Sequence, residues 1–387
     1  MKKNTLLQGS IVTFILSLLF FTPGQTVLAE EGAGVSPAEK NGSIKTIVTE
    51  DGTSFDVLFA NGPIVPPEGY MSVSSLQRSS VQKTGDVRLE DVPAFSWSYG
   101  SSATAGAMVA GYYDRVGFTD MYTGSTDGGC MPLTNAGWGA SDKGGHECPL
   151  SATRKGVDGR TTFGHVDDYF VANESAGPDP YVGNWTEHTS GDCTGDFMKT
   201  SKWFPGTEAL TGIPETINKD GAAWFFLDGG GDPVTAEAME GDFRSQYDAG
   251  YGLKLFFESR GYTVLTMYNQ YIYPKKIYGF TFAQYKDEID AGRPVILHVA
   301  SQIVVGTGYN VTDETVLFHD SWDHDEHSMV WGGTYLVPEY EHTSVTVIHL
   351  EGTIDHAACC TDCGTNLPVD LFPWPMFVPA TTGAGIR

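Results

Sequence analysis

One stretch of the sequence, residues 91–115 (DVPAFSWSYGSSATAGAMVAGYYDR), constrains the fold more than any other. It begins with an extended segment, turns at Tyr99-Gly100, and continues into a run of small residues that predicts a helix over residues 102–116. Because alanine and glycine keep such a helix thin, it can pack very close to a sheet. The N-terminus of a buried helix carries partial positive charge and free N–H groups, which lower the pKa of a thiol and stabilise an oxyanion. The residue at that point is Ser101.

The first 29 residues are typical of a cleaved secretory signal peptide. Two lysines precede the apolar run of residues 11–21, and Val27-Leu28-Ala29 fits a cleavage site before Glu30. The run is too short to span a bilayer, so we favour a cleaved signal over a membrane anchor. We therefore predict a secreted, extracellular protein that is cut after Ala29 and has no membrane insertion after signal removal.

The chain is strongly acidic, with 48 acidic and 23 basic residues and a net charge of -25. Such a charge repels nucleic acid and anionic lipid, so we expect no nucleic-acid partner. Two acidic turns, at residues 313–314 and 323–327, could hold a cation, but neither matches the twelve-residue calcium loop. We interpret both as solvated turns and expect neither a metal nor another cofactor.

All six cysteines lie after the signal peptide, and export favours disulfides over free thiols. Cys130 and Cys148 are close in sequence and separated by a Gly- and Ser-rich stretch, so we predict a local bridge between them. We expect Cys193 to pair with one member of a C-terminal cluster that consists of Cys359, Cys360 and Cys363. With His356, this cluster also has some of the spacing of a zinc site, an alternative that an oxidising compartment disfavours.

Periodic patterns predict a helical front half followed by a strand-rich back half. Alternating apolar runs around Asp51-Gly52 predict a β-hairpin over residues 43–60, which could be an added strand pair or a small pro-segment. Further helices are predicted over residues 251–260 and 281–291, the second with a capping box. Five β-branched or aromatic runs predict strands at residues 294–300, 303–310, 315–320, 329–336 and 344–350. This arrangement indicates an α+β fold.

These patterns divide the chain into four segments. Residues 1–29 are the signal peptide, and residues 30–87 are a linker with the N-terminal hairpin. Residues 88–350 are the main domain, and residues 351–387 are a tail that contains cysteine and proline.

Several motifs follow one another within residues 90–350. They are Val-Pro at 92–93, Tyr-Gly-Ser at 99–101, Gly-Tyr-Tyr at 111–113, Gly-Arg-Pro-Val at 292–295 and His-Asp-Ser-Trp-Asp at 319–323. In this order they resemble the C39-like peptidases, a branch of the papain-like cysteine peptidases. The resemblance implies a papain-like α+β fold in which a central helix packs on an antiparallel sheet.

The resemblance also implies where a catalytic triad would lie. In the family, a thiolate sits at the helix start, a histidine at the beginning of a strand is its base, and an Asp or Asn at the end of the next strand orients the histidine. These positions correspond here to Ser101, Gln302 and Asp320. Trp97 lies in the region where many relatives hold the oxyanion with a glutamine. Both the nucleophile and the base are therefore replaced, whereas the acid is retained.

This replacement argues against catalysis. A serine hydroxyl needs a base within hydrogen-bond reach, and the amide of Gln302 cannot accept a proton usefully. We interpret His165 and His319, the candidate substitutes, as structural hydrogen-bonding groups. We predict an inactive homologue that binds an extended peptide or protein ligand in the former active-site cleft. Two alternatives stay open: an active secreted cysteine- or serine-type peptidase with an atypical site, and a structural surface-interaction domain.

Overall fold

A computed structural model describes residues 44–48, 52–60, 62, 66–68, 70, 85–98, 100–119, 121–122, 130–140, 145–151, 193–200, 221–336 and 340–358. Within these ranges, no helix combines the length and the apolar character needed to cross a membrane.

The described part of the chain contains both helices and strands. The helices are α1 (Ser101–Arg115), α2 (Thr194–Phe197), α3 (Ala236–Met239), α4 (Arg244–Tyr247), α5 (Ala249–Ser259) and α6 (Phe282–Asp290). The first six strands are β1 (Ile44–Val48), β2 (Ser54–Ala60), β3 (Asp86–Arg88), β4 (Ala223–Leu227), β5 (Val234–Thr235) and β6 (Val264–Tyr271). The remaining five are β7 (Val295–Val299), β8 (Gln302–Asn310), β9 (Thr315–His319), β10 (Glu326–Val330) and β11 (His342–Leu350).

The strands form two antiparallel sheets. The larger sheet has eight strands, with the order β10-β9-β8-β7-β11-β6-β5 and with β3 paired to β8. The smaller sheet has three strands in the order β1-β2-β4. The larger sheet therefore brings the start of β8 beside the end of β9, which places Gln302 near Asp320 in the fold.

Both faces of the larger sheet are covered, because successive side chains along its strands point to opposite sides. On β7, Ile296 belongs to the cluster that contains α1, α5 and the smaller sheet, whereas Val295 and Leu297 belong to the cluster under α6. Phe225 of β4 packs on His298 of β7 with ring centroids 4.2 Å apart, which joins the two sheets. The result is a mixed α+β architecture, as the sequence predicts.

Helix α1 is the most deeply buried helix of this part of the chain, with every residue from 101 to 114 buried. Its small residues are required by close neighbours. A Cβ atom at Gly106 would lie 2.6 Å from Met198 Sδ, and one at Gly111 would lie 2.9 Å from Met131 Cγ. The thin helix predicted from the sequence therefore does pack closely, and it begins at Ser101.

The predicted N-terminal hairpin is confirmed by the antiparallel pairing of β1 with β2. Strand β2 also pairs with β4, with Ala60 opposite Ala223. The hairpin is therefore part of the smaller sheet.

The predicted helices and strands agree closely with those observed, with one exception. The strand predicted at residues 329–336 occurs instead as Glu326–Val330. The chain turns after it, at Gly332-Gly333, where Gly332 has a φ of 68°. The aromatic residues that suggested a longer strand serve a different purpose, since Trp331 packs against Tyr285 and donates its indole N–H to the Tyr273 carbonyl.

The predicted bridge between Cys130 and Cys148 is wrong, because Cys148 is a free, buried thiol. The two neighbourhoods are attached to opposite ends of α1. The Cys148 N–H donates to Ser98, near the start of the helix, whereas the N–H of Met131 donates to Asp114 near its end. The expected pairing of Cys193 with the C-terminal cluster is also wrong, because Cys193 is buried and not disulfide-bonded. Residues 359–363 lie outside the described residues.

Candidate functional site

Ser101 lies where the resemblance places the nucleophile, at the first residue of α1. The preceding Gly100 has a φ of 120°, and a Cβ atom there would lie 2.8 Å from the Gly221 carbonyl oxygen. Glycine is therefore required at this turn. The Ser101 side chain is fully buried, and its Oγ accepts a hydrogen bond of 3.2 Å from the backbone N–H of Ile303. The hydroxyl thus faces the beginning of β8.

Gln302 is the first residue of β8 and is also fully buried. Its Nε2 donates a 2.7 Å hydrogen bond to Ser321 Oγ. Its Oε1 is buried without a hydrogen-bond partner among the described residues. Gln302 and Ser101 share no hydrogen bond in the described structure, although Ser101 accepts the N–H of Ile303, the residue after Gln302. The amide is therefore turned towards the end of β9.

Asp320 follows β9 directly and is fully buried. Its Oδ2 accepts a 2.9 Å hydrogen bond from the Tyr335 hydroxyl, and its Oδ1 accepts the N–H of Trp322 at 2.8 Å. Burial raises the pKa of this carboxyl, although the nearby His327 opposes the shift. In the described residues, no hydrogen bond joins Asp320 to Gln302, so the acid is not orienting the residue at the base position.

The structure gives Asp320 a different imidazole partner, His327 on β10. Its Nε2 lies 3.6 Å from Asp320 Oδ2 and 2.9 Å from Asp323 Oδ1. The Tyr70 hydroxyl lies 3.2 Å from the same nitrogen. Burial lowers the pKa of His327, but the hydrogen bond to Asp323 and the charge of Asp320 outweigh it and raise the pKa above its usual range. The positive charge of His327 therefore compensates two nearly buried carboxylates.

Asp320, Asp323 and His327 are also the described residues that could together hold a metal ion, since their ligand atoms lie within 4.8 Å of one another. Several of their oxygen and nitrogen atoms already bind one another, Tyr335 and backbone N–H groups, whereas Asp323 Oδ2 is buried without a hydrogen-bond partner among the described residues. We interpreted residues 323–327 as a solvated turn, and this is wrong for Asp323 and His327, which are mostly buried. The sequence signal that could have revealed this cluster is the pair of neighbouring strands, because the turn between β9 and β10 brings residues 320 and 327 together.

Trp97 is connected to the site through Gly62. Its indole N–H donates to the Gly62 carbonyl oxygen at 3.0 Å, and its backbone N–H donates to the Ser321 carbonyl oxygen at 2.6 Å. Gly62 in turn donates its N–H to the Ser301 carbonyl oxygen at 2.8 Å. Gly62 therefore lies directly over Ser101, a contact that the sequence did not predict.

The remaining candidate histidines do not reach Ser101 by a hydrogen bond in the described structure. His319 shares a 3.1 Å hydrogen bond with the Pro93 carbonyl oxygen, and burial lowers its pKa to about 4, which keeps the ring neutral. His165 lies outside the described residues. Ser101 thus has a backbone donor as its partner and no titratable side chain within hydrogen-bond distance among the described residues.

The comparisons with known proteins identify one family. Residues 210–341 match the model of the Peptidase_C39 like family, a stretch that contains Gln302 and Asp320 but not Ser101. Neither the curated proteins nor the solved structures gave a significant match. The region that supplies most of the larger sheet and two of the three site positions is therefore similar to the C39-like peptidase family.

Proposed function

We propose that this protein is a secreted, catalytically inactive C39-like peptidase homologue that binds an extended polypeptide in the cleft at Ser101. The fold expected for that function is the papain-like arrangement. In it, a buried central helix starts at the nucleophile position and faces the strand that carries the base position. The contact between Ser101 on α1 and Ile303 on β8 supports this arrangement.

The observation that carries the proposal is the chemistry of the pair Ser101 and Gln302. The hydroxyl accepts a backbone N–H, and the amide donates to Ser321, so neither group is positioned to move a proton. A serine without a base stays protonated at neutral pH and is a poor nucleophile. Losing either member of such a catalytic pair costs several orders of magnitude in rate, and here both are replaced.

Main-chain recognition supports the binding half of the proposal. The site presents a backbone carbonyl at Ser301 and the indole N–H of Trp97, and each bonds the backbone of another segment. An acceptor and a donor in this arrangement suit the main chain of a peptide, because every residue except proline offers one N–H and one carbonyl.

The first test measures activity. The full secreted chain is expected to show no detectable hydrolysis of a peptide library at neutral pH, and Ser101 should not react with serine-directed probes. Ser101→Ala is the matched variant, because any hydrolysis that depends on the hydroxyl must disappear in it. Cleavage by the native chain that Ser101→Ala abolishes would contradict the inactivity.

The second test rebuilds the pair. Ser101→Cys alone should give a poorly reactive thiol, because the site is buried and burial raises the pKa of a thiol. Ser101→Cys with Gln302→His should give a reactive thiolate–imidazolium pair but slow turnover, because Asp320 already binds Tyr335. The pH dependence of thiol alkylation distinguishes the two variants. Equal alkylation profiles would contradict the positions assigned to the pair.

An active peptidase is the competing function, and the observation that bears on it is the pair of His327 and Asp320. His327 is a poor general base, because its Nε2 already faces Asp323 and its raised pKa favours the protonated ring. Peptide hydrolysis that is lost in both Ser101→Ala and His327→Gln would favour this alternative.

Secretion is tested by a separate measurement. Mass spectrometry of protein from the culture medium should give an N-terminus at Glu30.

A further inference from the structure

The backbone of Gly62 is held over the candidate site by two hydrogen bonds. Its N–H donates to the Ser301 carbonyl, immediately before Gln302, and its carbonyl accepts the indole N–H of Trp97. Both bonds use the glycine backbone alone. The residue is buried, and so is Ser101 beneath it. Gly62 therefore occupies the space directly over Ser101.

The contact with Ser101 leaves no room for a side chain. A Cβ atom built at Gly62 would overlap Ser101 Oγ and would lie 2.7 Å from the Ser101 backbone nitrogen. The glycine also has a φ of 47°, in the left-handed region that residues with a side chain rarely adopt. The position over Ser101 is thus selective for glycine on two independent grounds.

Strand β2 brings this glycine to the site. Val57, Leu58 and Phe59 are buried in the main core, and Ala60 pairs with Ala223 of β4. Gly62 follows Ala60 by two residues, so the smaller sheet ends close to the point where Gly62 contacts Ser101. Because Gly62 belongs to the same chain as the site, its effective concentration at Ser101 is high.

We propose that Gly62 is an intramolecular ligand of the peptide-binding cleft, and that the cleft takes peptides with a glycine over Ser101 in competition with this segment. The inference rests on the proposed function and names its ligand class. A peptide in trans binds after Gly62 has been displaced, so the intact chain binds such peptides weakly.

Thiol labelling tests whether Gly62 covers the site, and it requires no peptide. Ser101→Cys provides the probe position in the full chain, with the parent chain as the blank for its own cysteines. Gly62→Ala is added in one variant and Gly52→Ala in another. Gly52 is the matched control, because its φ is 84° but a Cβ atom there would meet nothing within 4 Å.

We expect Gly62→Ala to raise the alkylation rate of the thiol at position 101 about tenfold or more, because overpacking displaces the segment. Gly52→Ala should leave the rate unchanged, although it introduces the same kind of backbone strain. Equal rates in all three proteins would overturn the inference. An equal rise in both glycine variants would also overturn it, because strain in the hairpin would then explain the result.

Peptide binding tests the ligand class with the chain carrying Gly62→Ala and a native Ser101. The probe is a fluorescent peptide VLFANGPIVP, the sequence of residues 57–66. It should bind the Gly62→Ala chain about tenfold more tightly than the parent chain, and the same peptide with alanine in place of its glycine should bind about tenfold more weakly. No discrimination between the two peptides would overturn the glycine selectivity. Faster labelling without binding of any peptide would instead contradict the proposed function.

Discussion

Replacing His327 with alanine should remove the charge that compensates two carboxylates at the candidate site. The side chain of His327 is 6% exposed, and those of Asp320 and Asp323 are 0% and 16% exposed. Their oxygens lie 3.6 Å and 2.9 Å from the imidazole Nε2. The three groups are therefore shielded from water, and each carboxylate depends on the imidazolium for compensation.

The expected loss of stability follows from these distances. At an effective dielectric constant of about 20, each carboxylate attracts the imidazolium by roughly 5 kcal/mol. The cost of burying the charges offsets much of this attraction, and removal of one partner from a buried pair typically destabilises a protein by about 3–5 kcal/mol. We expect His327→Ala to lower the free energy of unfolding by that amount at pH 6, where the imidazole is charged.

The loss should depend on pH in one direction. Burial lowers the pKa of His327, but Asp323, Asp320 and Asp325 outweigh it and raise the pKa. The Tyr70 hydroxyl also faces the ring. A histidine with a raised pKa stabilises the folded state fully below its unfolded value of about 6.5, and this contribution is lost as the pH rises through the folded value. The difference between the parent chain and His327→Ala should therefore be larger at pH 6 than at pH 9.

Urea denaturation followed by tryptophan fluorescence at pH 6 and pH 9 measures both effects. His349→Ala is the control, because its partner Glu288 keeps a 2.6 Å ion pair with Arg293. This variant should lose less than about 1 kcal/mol. A loss of less than about 1 kcal/mol in His327→Ala at pH 6, or a loss that grows towards pH 9, would refute the role assigned to His327.

Three further variants or measurements test the packing. Thr281→Ala breaks a capping box, since Thr281 accepts the Gln284 N–H and Gln284 accepts the Thr281 N–H; urea denaturation should show a loss of about 1 kcal/mol. Gly252→Ala should cost about 1–3 kcal/mol in the same assay, because its Cβ atom would lie 2.6 Å from the Phe197 carbonyl carbon. Burial raises the pKa of Cys148 to about 12, so its thiol should resist alkylation at pH 8 in the native protein and react after denaturation.

The sequence predicted the parts of the fold that local patterns determine. The capping box at Thr281 and Gln284 marks the start of α6, and the β-branched runs after residue 294 mark the strands. The small residues after Gly100 mark a thin buried helix, and the structure begins it at Ser101. Each of these signals acts within a few residues of the chain, so one sequence is enough to read it.

The contacts that join distant segments were not predicted, because no local pattern records them. Strand β2 pairs with β4 across more than 160 residues, and this pairing leads Gly62 to Ser101. The cysteine prediction failed for the same reason. Closeness in sequence suggested a bridge, but hydrogen bonds attach Cys148 and Met131, the neighbour of Cys130, to opposite ends of α1.

Under the proposed function, the residues at positions 101, 302 and 320 are consistent with one another. A histidine at position 302 would need Asp320 to hold its ring, whereas Asp320 is bound by Tyr335 and compensated by His327. With glutamine at 302 no such partner is needed, and its Nε2 bonds Ser321. A smaller hydroxyl at Ser101 then leaves the space that the Gly62 backbone occupies. A site that needs no proton transfer can keep a peptide backbone in close contact with the helix start, and this is the arrangement that the structure has.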